Sequence, residues 1–427
     1  MYARGQIDIS WSDLAFGLTS TLRRGGADAA ARRAAAAWHP DAVSFLTLRT
    51  GWDLLLAALA LPRGSEVVCT AVNIPDMFEL LEHHGLVPVP VDLDPATLAP
   101  QPSDVRAALT EKTALVLVIH LVGARVEMGP IHALARERGL PVVEDCAQAF
   151  DGQYTGHPDS LVSMFSFGPI KTATALGGGL FRVRDDALRE RLWSSQRDYP
   201  VQTRAAWLSV VANYSAMKAL SSEQFYGAFV WTCTTLGTSH DKVINGRVLG
   251  LKGDDWWAAL RRRPSAPLMS LLERRLTDGT RAQLDARTRA GDALLSLLPT
   301  GAVVLGRGAK LHSWWQFCVV TDRPDAVIAA LRREGFDATA GASRLRPCSV
   351  PEGRPAPSRI DAAMSRVVYV PAYAGIGDAA RGRLGRALSA VLSEELAEAH
   401  PVPESAAPGS EAPGSEAPGS EAPESAA

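Results

Sequence analysis

The segment FSFGPIKTATALGGG, residues 165–179, places a lysine among small and apolar neighbours. Only six of the 44 basic residues are lysines, so a mechanism that needs a lysine has few candidates. A partly buried lysine has a lowered pKa because desolvation disfavours the ammonium form. The neutral amine of Lys171 could then form a Schiff base, and the glycines at 177–179 would let the backbone approach a flat ligand closely. A surface lysine before a β-turn is the alternative that the spacing leaves open.

The segment LPVVEDCAQAF, residues 140–150, ends a predicted buried strand in a carboxylate. Asp145 precedes Lys171 by 26 residues, about the length of one strand–helix–strand excursion. Pyridoxal phosphate (PLP) needs an acid opposite its pyridine nitrogen, which keeps the ring protonated as an electron sink. Asp145 and Lys171 together therefore predict a PLP site, although a helix N-cap would also explain Asp145 alone.

Five segments extend this pattern along the chain. In RTGWDLLLAAL, VPVDLD, VIHLVG, VVEDCAQAF and FSFGPIKTATALGGG the chain resembles the DegT/StrS-type aminotransferases, the PLP-dependent sugar aminotransferases of fold type I. The resemblance is strong from about Thr50 to Asp185 and weaker over about 265–395. It implies an α/β fold, with a large domain built on a mostly parallel sheet and a small C-terminal α/β domain.

The resemblance implies two catalytic residues. Lys171 matches the lysine that holds PLP as a Schiff base and moves the proton between the substrate Cα and the cofactor C4′. Asp145 matches the carboxylate that pairs with the pyridine nitrogen. Because the dehydratase branch of the family has histidine at the lysine position, Lys171 favours transamination over dehydration.

The resemblance also implies a set of cofactor contacts and no metal. Gln148 matches a glutamine near the PLP 3-hydroxyl, and Ser166 matches a serine that hydrogen-bonds the phosphate. Thr50-Gly51-Trp52 matches a turn whose backbone N–H groups, at the start of a helix, hold the phosphate. His120 matches a histidine near the site, for which a core role is favoured over catalysis. The expected cofactor-binding residues are Thr50, Gly51, Trp52, Asp145, Gln148, Ser166 and Lys171.

Several positions depart from the family pattern. Trp52 replaces a threonine, which removes one phosphate hydroxyl, and Ile74 replaces an aromatic residue that stacks on the cofactor ring. Asn73 or Met77 is a candidate substitute for that contact. The segment that the partner subunit contributes reads RRRPSAPLMS (261–270), in which Arg262 or Arg263 could supply the phosphate contact. The family pattern therefore predicts a homodimer with sites at its interface.

Alternating strand-like and helix-like segments over 41–185 favour a parallel sheet wrapped by helices, with ligands at the carboxyl ends of the strands. We predict an N-terminal segment over 1–40, a large PLP-binding domain over 41–290 and a small C-terminal domain over 291–398. The last stretch, 399–427, repeats APGSE and has no aromatic residue, so it is predicted to be disordered.

Composition excludes several classes of protein. The chain has 427 residues, 47% of them hydrophobic, and a net charge of −2, which gives no electrostatic case for nucleic acid binding. The five cysteines form no CxxC pair, and the N-terminus lacks the apolar core of a signal peptide. A cytoplasmic protein is expected.

The large domain carries an insertion over about 199–257 that is rich in tryptophan and too short and polar to span a bilayer. Extra dimer interface or a core flap is the favoured interpretation. A lid over an apolar or carrier-bound substrate, or a membrane-surface patch, is the alternative, and a lid would involve Phe229 and Trp231.

The leading functional hypothesis is a PLP-dependent aminotransferase. It would move an amino group from an amino acid, glutamate in the first instance, to a keto or aldehyde acceptor. The family default is a nucleotide-linked keto sugar in glycan or secondary-metabolite biosynthesis. Two alternatives stay open: a PLP-dependent lyase or C–C bond-forming enzyme acting on an apolar or carrier-bound substrate, and a non-catalytic PLP-binding regulator.

Overall fold

The structure is a computed structural model that describes residues 1–22, 25–241, 243–244, 256–278, 280–341 and 344–399. The predicted APGSE tail from residue 400 onward and residues 245–255, near the end of the insertion, lie outside the described residues. Among the described residues, none of the helices has the length and apolar character that crossing a membrane requires.

Twelve strands are described, all of them short and most of them largely buried. They are β1 (Ala42–Phe45), β2 (Glu66–Thr70), β3 (Val72–Asn73), β4 (Val87–Val91), β5 (Thr113–Ile119), β6 (Val142–Asp145), β7 (Val162–Ser166), β8 (Gly179–Val183), β9 (Val303–Val304), β10 (Phe317–Val320), β11 (Arg346–Pro347) and β12 (Val367–Val370).

The helices that surround these strands are α1 (Trp11–Thr19), α2 (Ala27–Trp38), α3 (Leu48–Leu59), α4 (Pro75–His83), α5 (Pro102–Ala108), α6 (Met128–Glu137), α7 (Asp186–Ser195), α8 (Arg204–Leu220), α9 (Glu223–Thr235), α10 (Trp256–Leu260), α11 (Ala266–Thr277), α12 (Thr280–Leu295), α13 (Pro324–Arg333), α14 (Ser358–Met364) and α15 (Asp378–Ala399).

The main sheet has seven strands in the order β1-β8-β7-β6-β5-β2-β4. The pairs from β7 through β6, β5 and β2 to β4 are parallel, as the near-continuous apolar runs predict. Strand β8 runs antiparallel to both β7 and β1. Strand β1 therefore points the same way as the parallel strands, and its carboxyl end lies at the same edge of the sheet as theirs.

A second, three-stranded sheet has the order β12-β10-β9 and is antiparallel. Its apolar side chains form a separate hydrophobic cluster with residues of α13 and α15, which include Val327, Leu331 and Leu384. Each of these helices presents one apolar stripe to the sheet, because their buried residues recur at helical spacing. This small sheet contributes the segment that leads from Trp314 into β10, which approaches the main sheet at the site described below.

Candidate active site

Six strands of the main sheet end at one edge, and the ends of five of them carry the polar residues of the candidate site. These residues are Thr47 after β1, Asn73 after β2, His120 after β5, Asp145 in β6 and Ser166 in β7. Ligands of parallel sheets bind at this carboxyl edge, where side chains leave the ladder and face a crevice. The topology thus gathers three of the residues that the sequence predicts, His120, Asp145 and Ser166, at one place.

The carboxylate of Asp145 is held by two hydrogen bonds at that edge. The Asn73 Nδ2–H donates to Oδ2 at 2.9 Å, and the backbone N–H of Ala147 donates to Oδ1 at 3.0 Å. The residue is only 2% exposed. Burial raises the pKa of the Asp145 carboxyl, while the two hydrogen bonds and the nearby Lys171 charge oppose that shift. The carboxylate is therefore oriented by its neighbours and needs a cation to compensate its burial.

Lys171 lies beside Asp145 and has a strongly perturbed amine. The pKa of Lys171 is lowered to about 8, mainly by burial; the Asp145 charge opposes this shift and the Arg49 charge adds to it. Its Nζ lies 4.2 Å from the centroid of the Trp315 ring. A pKa near 8 leaves a substantial fraction of neutral amine at physiological pH, and the neutral amine is the nucleophilic form.

The loop that carries Lys171 is fastened from three sides. The Phe167 carbonyl accepts hydrogen bonds from the N–H groups of Ala175 and Gly177, both at 3.1 Å. The N–H of Ala173 donates to Asp8 of the N-terminal segment at 3.2 Å, and the Trp315 indole N–H donates to the Ile170 carbonyl at 2.9 Å. The N-terminal segment and the small sheet therefore fix the position of the lysine, which local sequence could not indicate.

The glycine run after Lys171 packs against protein, which corrects the expectation that it opens the backbone to a flat ligand. A Cβ on Gly179 would lie 2.7 Å from the Leu48 nitrogen, at the start of α3. Gly178 has φ +96°, and a Cβ there would lie 3.1 Å from Leu272. The glycines therefore permit close contact between β8 and the helices α3 and α11.

The helix that carries the motif Thr50-Gly51-Trp52 begins at Leu48, two residues before the motif. Thr47 is the N-cap of α3, and its side-chain oxygen accepts the Thr50 N–H at 3.1 Å. The Gly51 N–H donates to the Thr47 carbonyl at 3.2 Å. Helix geometry instead leaves the N–H groups of Leu48 and Arg49 without a carbonyl partner inside the helix.

The side chains of residues 50–52 also point to a structural role. Trp52 is fully buried, and its indole N–H donates to the Met77 carbonyl at 3.2 Å. The Thr50 hydroxyl donates to the Leu260 carbonyl at 2.8 Å. A Cβ on Gly51 would lie 2.5 Å from the Phe181 ring, so this glycine allows helix α3 to pack on β8. We therefore expect the phosphate at the turn that precedes residues 50–52, and not at those three residues.

Ser166 and Gln148 lie at the same edge. Ser166 and Phe45 are both register partners of Gly179, on its two sides, so Ser166 faces the start of α3 across one glycine. Gln148 is buried, and its Oε1 accepts the N–H of Val122 at 2.8 Å. This bond supports a backbone turn, because Val122 has φ +48°.

His120 belongs to a buried hydrogen-bond network behind the site. Its Nδ1 accepts the Val126 N–H at 3.0 Å, and its Nε2 lies 3.1 Å from Glu144. Glu144 also accepts the Tyr154 hydroxyl at 2.5 Å, and Cys146 lies nearby. Although His120, Glu144 and Cys146 lie close enough to share a metal ion, the imidazole and the carboxylate already have protein partners. Because Glu144 belongs to β6, this network holds that strand in place and so helps to position Asp145.

The two candidate substitutes for the missing aromatic contact take different places. Asn73 holds Asp145, as described above, whereas Met77 is 1% exposed and lies in the core. Of the predicted phosphate-contacting arginines, Arg263 donates to Asp28 at 2.9 Å and to the Tyr199 carbonyl at 2.9 Å. Arg262 uses its Nε to reach the Ala258 carbonyl at 3.1 Å.

Three residues near the site were missed by reasoning from sequence. Arg49 approaches Lys171 closely enough to affect its pKa, and its guanidinium donates to Asp76, which Arg344 also contacts. Trp315 lies over Lys171 although it is 144 positions away in the chain. The third residue, Asp8, fastens the lysine loop. Of these three residues, only Arg49 could have been noticed from sequence, because it is an arginine at the start of a predicted helix.

The chain matches known proteins over part of its length. Residues 38–221 match the model of the DegT/DnrJ/EryC1/StrS aminotransferase family. A "Pleiotropic regulatory protein" of Geobacillus stearothermophilus is 37% identical over 142 residues, which are 32% of this chain and 38% of that protein. The "UDP-4-amino-4-deoxy-L-arabinose--oxoglutarate aminotransferase" of Shewanella sediminis is 31% identical over 153 residues, 35% of this chain and 39% of that one. The matching segment thus spans less than two fifths of these relatives.

The structural comparison extends over nearly the whole chain. The sugar aminotransferase CalS13 from Micromonospora echinospora superposes with a TM-score of 0.62 at 21% identity, and the match covers 91% of this chain and 100% of that one. Its identity is low, so it shows a shared fold, which confirms the expected α/β fold type I architecture. Residues 38–221 therefore resemble the DegT/DnrJ/EryC1/StrS aminotransferase family, and the chain as a whole shares the fold of CalS13.

Proposed function

We propose that the chain is a PLP-dependent aminotransferase that transfers the amino group of an amino acid to a keto or aldehyde acceptor. The observation that carries the proposal is the pairing of a Lys171 amine, with a pKa of about 8, with the buried and oriented carboxylate of Asp145. Within the described part of the chain, the two groups influence each other's pKa but neither forms a close ion pair, and PLP would complement both.

The residues at the sheet edge fit the cofactor at its two polar ends. A protonated pyridine nitrogen would compensate the buried Asp145 charge, and Asn73 would hold the carboxylate toward it. The phosphate would meet the N–H groups of Leu48 and Arg49, which have no carbonyl partner inside the helix, at the start of α3, where the helix dipole favours an anion. Ser166 lies next to this helix start across Gly179.

Bound PLP supplies an electron sink that stabilises negative charge at the Cα of an amino acid. The chain provides the proton transfer, because the Lys171 amine can take the Cα proton once it is free and return it to another atom. Asp145 would favour the protonated form of the pyridine nitrogen. The Trp315 ring lies against the lysine, with its centroid 4.2 Å from Nζ.

The arginines near the helix start add positive charge to the phosphate end. Arg49 and Arg344 both contact Asp76, so two guanidinium groups share one carboxylate. The remaining positive charge favours an anion at this end of the crevice. Asp76 would also hold the Arg49 side chain extended at the start of α3. An arginine without such a partner would lose more conformational freedom when it binds an anion.

The donor and the assembly are proposed from relatives and from the family resemblance. The Shewanella sediminis relative is named for oxoglutarate, which supports glutamate as the amino donor. The family default acceptor is a nucleotide-linked keto sugar. A homodimer is proposed in which Arg262 reaches the phosphate of the partner's cofactor, because its guanidinium Nη atoms are not engaged by the one hydrogen bond described for it, which uses Nε.

The test uses the PLP-loaded protein and L-glutamate without acceptor. An aminotransferase releases about one 2-oxoglutarate per subunit and converts the bound cofactor to its pyridoxamine form. The matched control is Lys171→Ala, which should release none. Carbon dioxide release would favour the lyase alternative, and cofactor binding without any turnover would favour the regulator. Either result would reject the aminotransferase.

A further inference from the structure

A cavity of about 240 Å³ lies next to the lysine. Two of its lining residues are Ile170 and Trp315. Ile170 directly precedes Lys171, and the Trp315 ring lies against the lysine Nζ. The Trp315 indole N–H donates to the Ile170 carbonyl at 2.9 Å and so joins the two. The reacting amine and the cavity therefore share a wall.

The walls of the cavity are mainly aromatic and aliphatic. They come from the N-terminal segment, the insertion helices α8 and α9, and both sides of the small sheet. The main apolar side chains among the described lining residues are Met217, Leu220, Phe229, Trp314, Phe317 and Tyr373. A ligand that buries apolar surface here gains free energy in proportion to the area removed from water.

The charged groups in the described lining are already balanced by carboxylates. Arg4 forms an ion pair with Asp241, and its Nε also lies 3.9 Å from Asp337. Arg287 lies 4.0 Å from Asp8, and burial lowers the pKa of its guanidinium. A nucleoside diphosphate brings at least two negative charges, which require several cationic or N–H donors free to receive them. The Arg4 Nη atoms have no hydrogen-bond partner among the described residues, but two carboxylates already lie beside that guanidinium, so the described lining offers fewer donors than a diphosphate requires.

The insertion wall is held in place by a buried acid. Asp337 is fully buried, accepts the Tyr226 hydroxyl at 2.6 Å and lies 3.2 Å from His240 Nε2. Tyr226 and Phe229 lie one turn apart on α9, with ring centroids 6.0 Å apart. The tyrosine therefore anchors the turn that presents Phe229 to the cavity. By contrast, Trp231 is 69% exposed and does not line it.

We propose that this cavity binds the non-reacting part of the acceptor, and that this part is an apolar ring or short branched chain next to the carbonyl. The proposal rests on the aminotransferase function proposed above. An apolar cavity of about 150 Å³ can hold benzene, so about 240 Å³ suits a single substituted ring. The insertion would then set acceptor specificity, and the nucleotide-linked sugar of the family default would be a poor ligand.

The first experiment measures binding alone, so that its outcome does not depend on turnover. The PLP-loaded protein is titrated with phenylpyruvate, pyruvate and thymidine diphosphate, with calorimetry and tryptophan fluorescence as readouts. Phenylpyruvate should bind at least about tenfold more tightly than pyruvate, because the cavity buries its ring. Tighter binding of thymidine diphosphate than of phenylpyruvate would overturn the proposal.

Two variants of α9 locate the site. Phe229→Ala should weaken the binding of phenylpyruvate about tenfold and the binding of pyruvate by less than about twofold. Trp231→Ala removes an aromatic side chain from the same helix but outside the cavity. It should leave the affinities for both keto acids unchanged. Phe229→Trp, which fills space instead of removing it, should also weaken phenylpyruvate and covers the case in which the alanine variant misfolds. Equal effects of Phe229→Ala on both keto acids would reject the cavity as the acceptor site.

Single-turnover kinetics then separates this proposal from the proposed function. Phe229→Ala should slow reaction of the pyridoxamine form with phenylpyruvate and leave the reaction of the PLP form with glutamate unchanged. Glutamate could fail to react in the unsubstituted protein while phenylpyruvate still binds more tightly than pyruvate. In that case the aminotransferase proposal fails, and the cavity is a ligand-binding site but not an acceptor site. If glutamate reacts and the keto acids are not distinguished, the cavity proposal fails alone.

Discussion

Lys171 Nζ lies 4.2 Å from the centroid of the Trp315 ring. The face of an aromatic ring attracts a cation, so this contact favours the ammonium form and works against the burial that lowers the lysine pKa. The same ring closes one side of the apolar cavity. A residue from the small sheet thus affects both the protonation of the reacting amine and the space available to a substrate.

Lys171 is predicted to hold PLP covalently. Borohydride reduction of the loaded protein, followed by peptide mapping, should place the pyridoxyl group on Lys171, and Lys171→Ala should lose the visible absorbance of the bound cofactor. Lys218→Ala is the matched control, because burial also lowers the pKa of this lysine on α8. A label on Lys218 in the unsubstituted protein would disprove the assignment.

Asp145→Asn is predicted to keep PLP and to lose at least about 100-fold in turnover, since the pyridine nitrogen would no longer stay protonated. The measurement is the rate of 2-oxoglutarate release in a single turnover. Asn73→Ala, which removes only one of the two hydrogen bonds that orient the carboxylate, should cost less. Turnover of Asp145→Asn within about threefold of the unsubstituted protein would contradict the pyridinium role.

The rate at which PLP-free protein takes up PLP should depend on pH with an inflection near the Lys171 pKa of about 8. The neutral amine attacks, and it predominates above that pKa, so the rate should rise from pH 7 to 9 and then level off. Stopped-flow absorbance gives the profile. Because the Arg49 charge lowers the pKa, Arg49→Gln should move the inflection to higher pH.

The reverse shift is expected for Asp145→Asn. The Asp145 charge raises the Lys171 pKa, so its removal should move the inflection below pH 8. Shifts of the two variants in the same direction would show that a change in burial, and not the individual charges, controls the lysine.

Thr47→Ala is predicted to weaken PLP binding and to destabilise the protein by about 1 kcal/mol, because the N-cap hydrogen bond to the Thr50 N–H is lost. Thr47→Ser keeps an N-cap oxygen and should behave like the unsubstituted protein. Equilibrium dialysis of PLP and urea unfolding measure the two effects. Unchanged PLP affinity in Thr47→Ala would place the phosphate away from the start of α3.

The proposed homodimer is tested by complementation. Lys171→Ala and Arg262→Ala are each expected to reduce activity strongly as homodimers. In a mixed dimer, the site that retains Lys171 would receive Arg262 from the other subunit, so unfolding and refolding the two together should restore activity. Light scattering that shows an active monomer, or mixed dimers that stay inactive, would exclude a contribution from the partner subunit.

The sequence alone predicted roles for Lys171 and Asp145, which stay predictions, and it predicted the α/β alternation, which the fold confirms. Residue type and short-range spacing determine both: a rare lysine among small residues, a carboxylate at the end of an apolar strand, and apolar runs of the length of buried strands. The strand edge that collects Asp145, His120 and Ser166 follows from parallel pairing, which the same runs indicate.

Tertiary structure decided which residues surround these two groups. The glycines at 177–179 meet helices instead of a ligand, and the cap of α3 is Thr47, because both depend on how β8 and α3 pack. Trp315, Arg49 and Asp8 reach Lys171 from distant parts of the chain through contacts that no local pattern specifies. Proximity across such sequence distances arises only when separate hydrophobic faces pack together, so the surroundings of the lysine, and the apolar cavity beside it, required the folded structure.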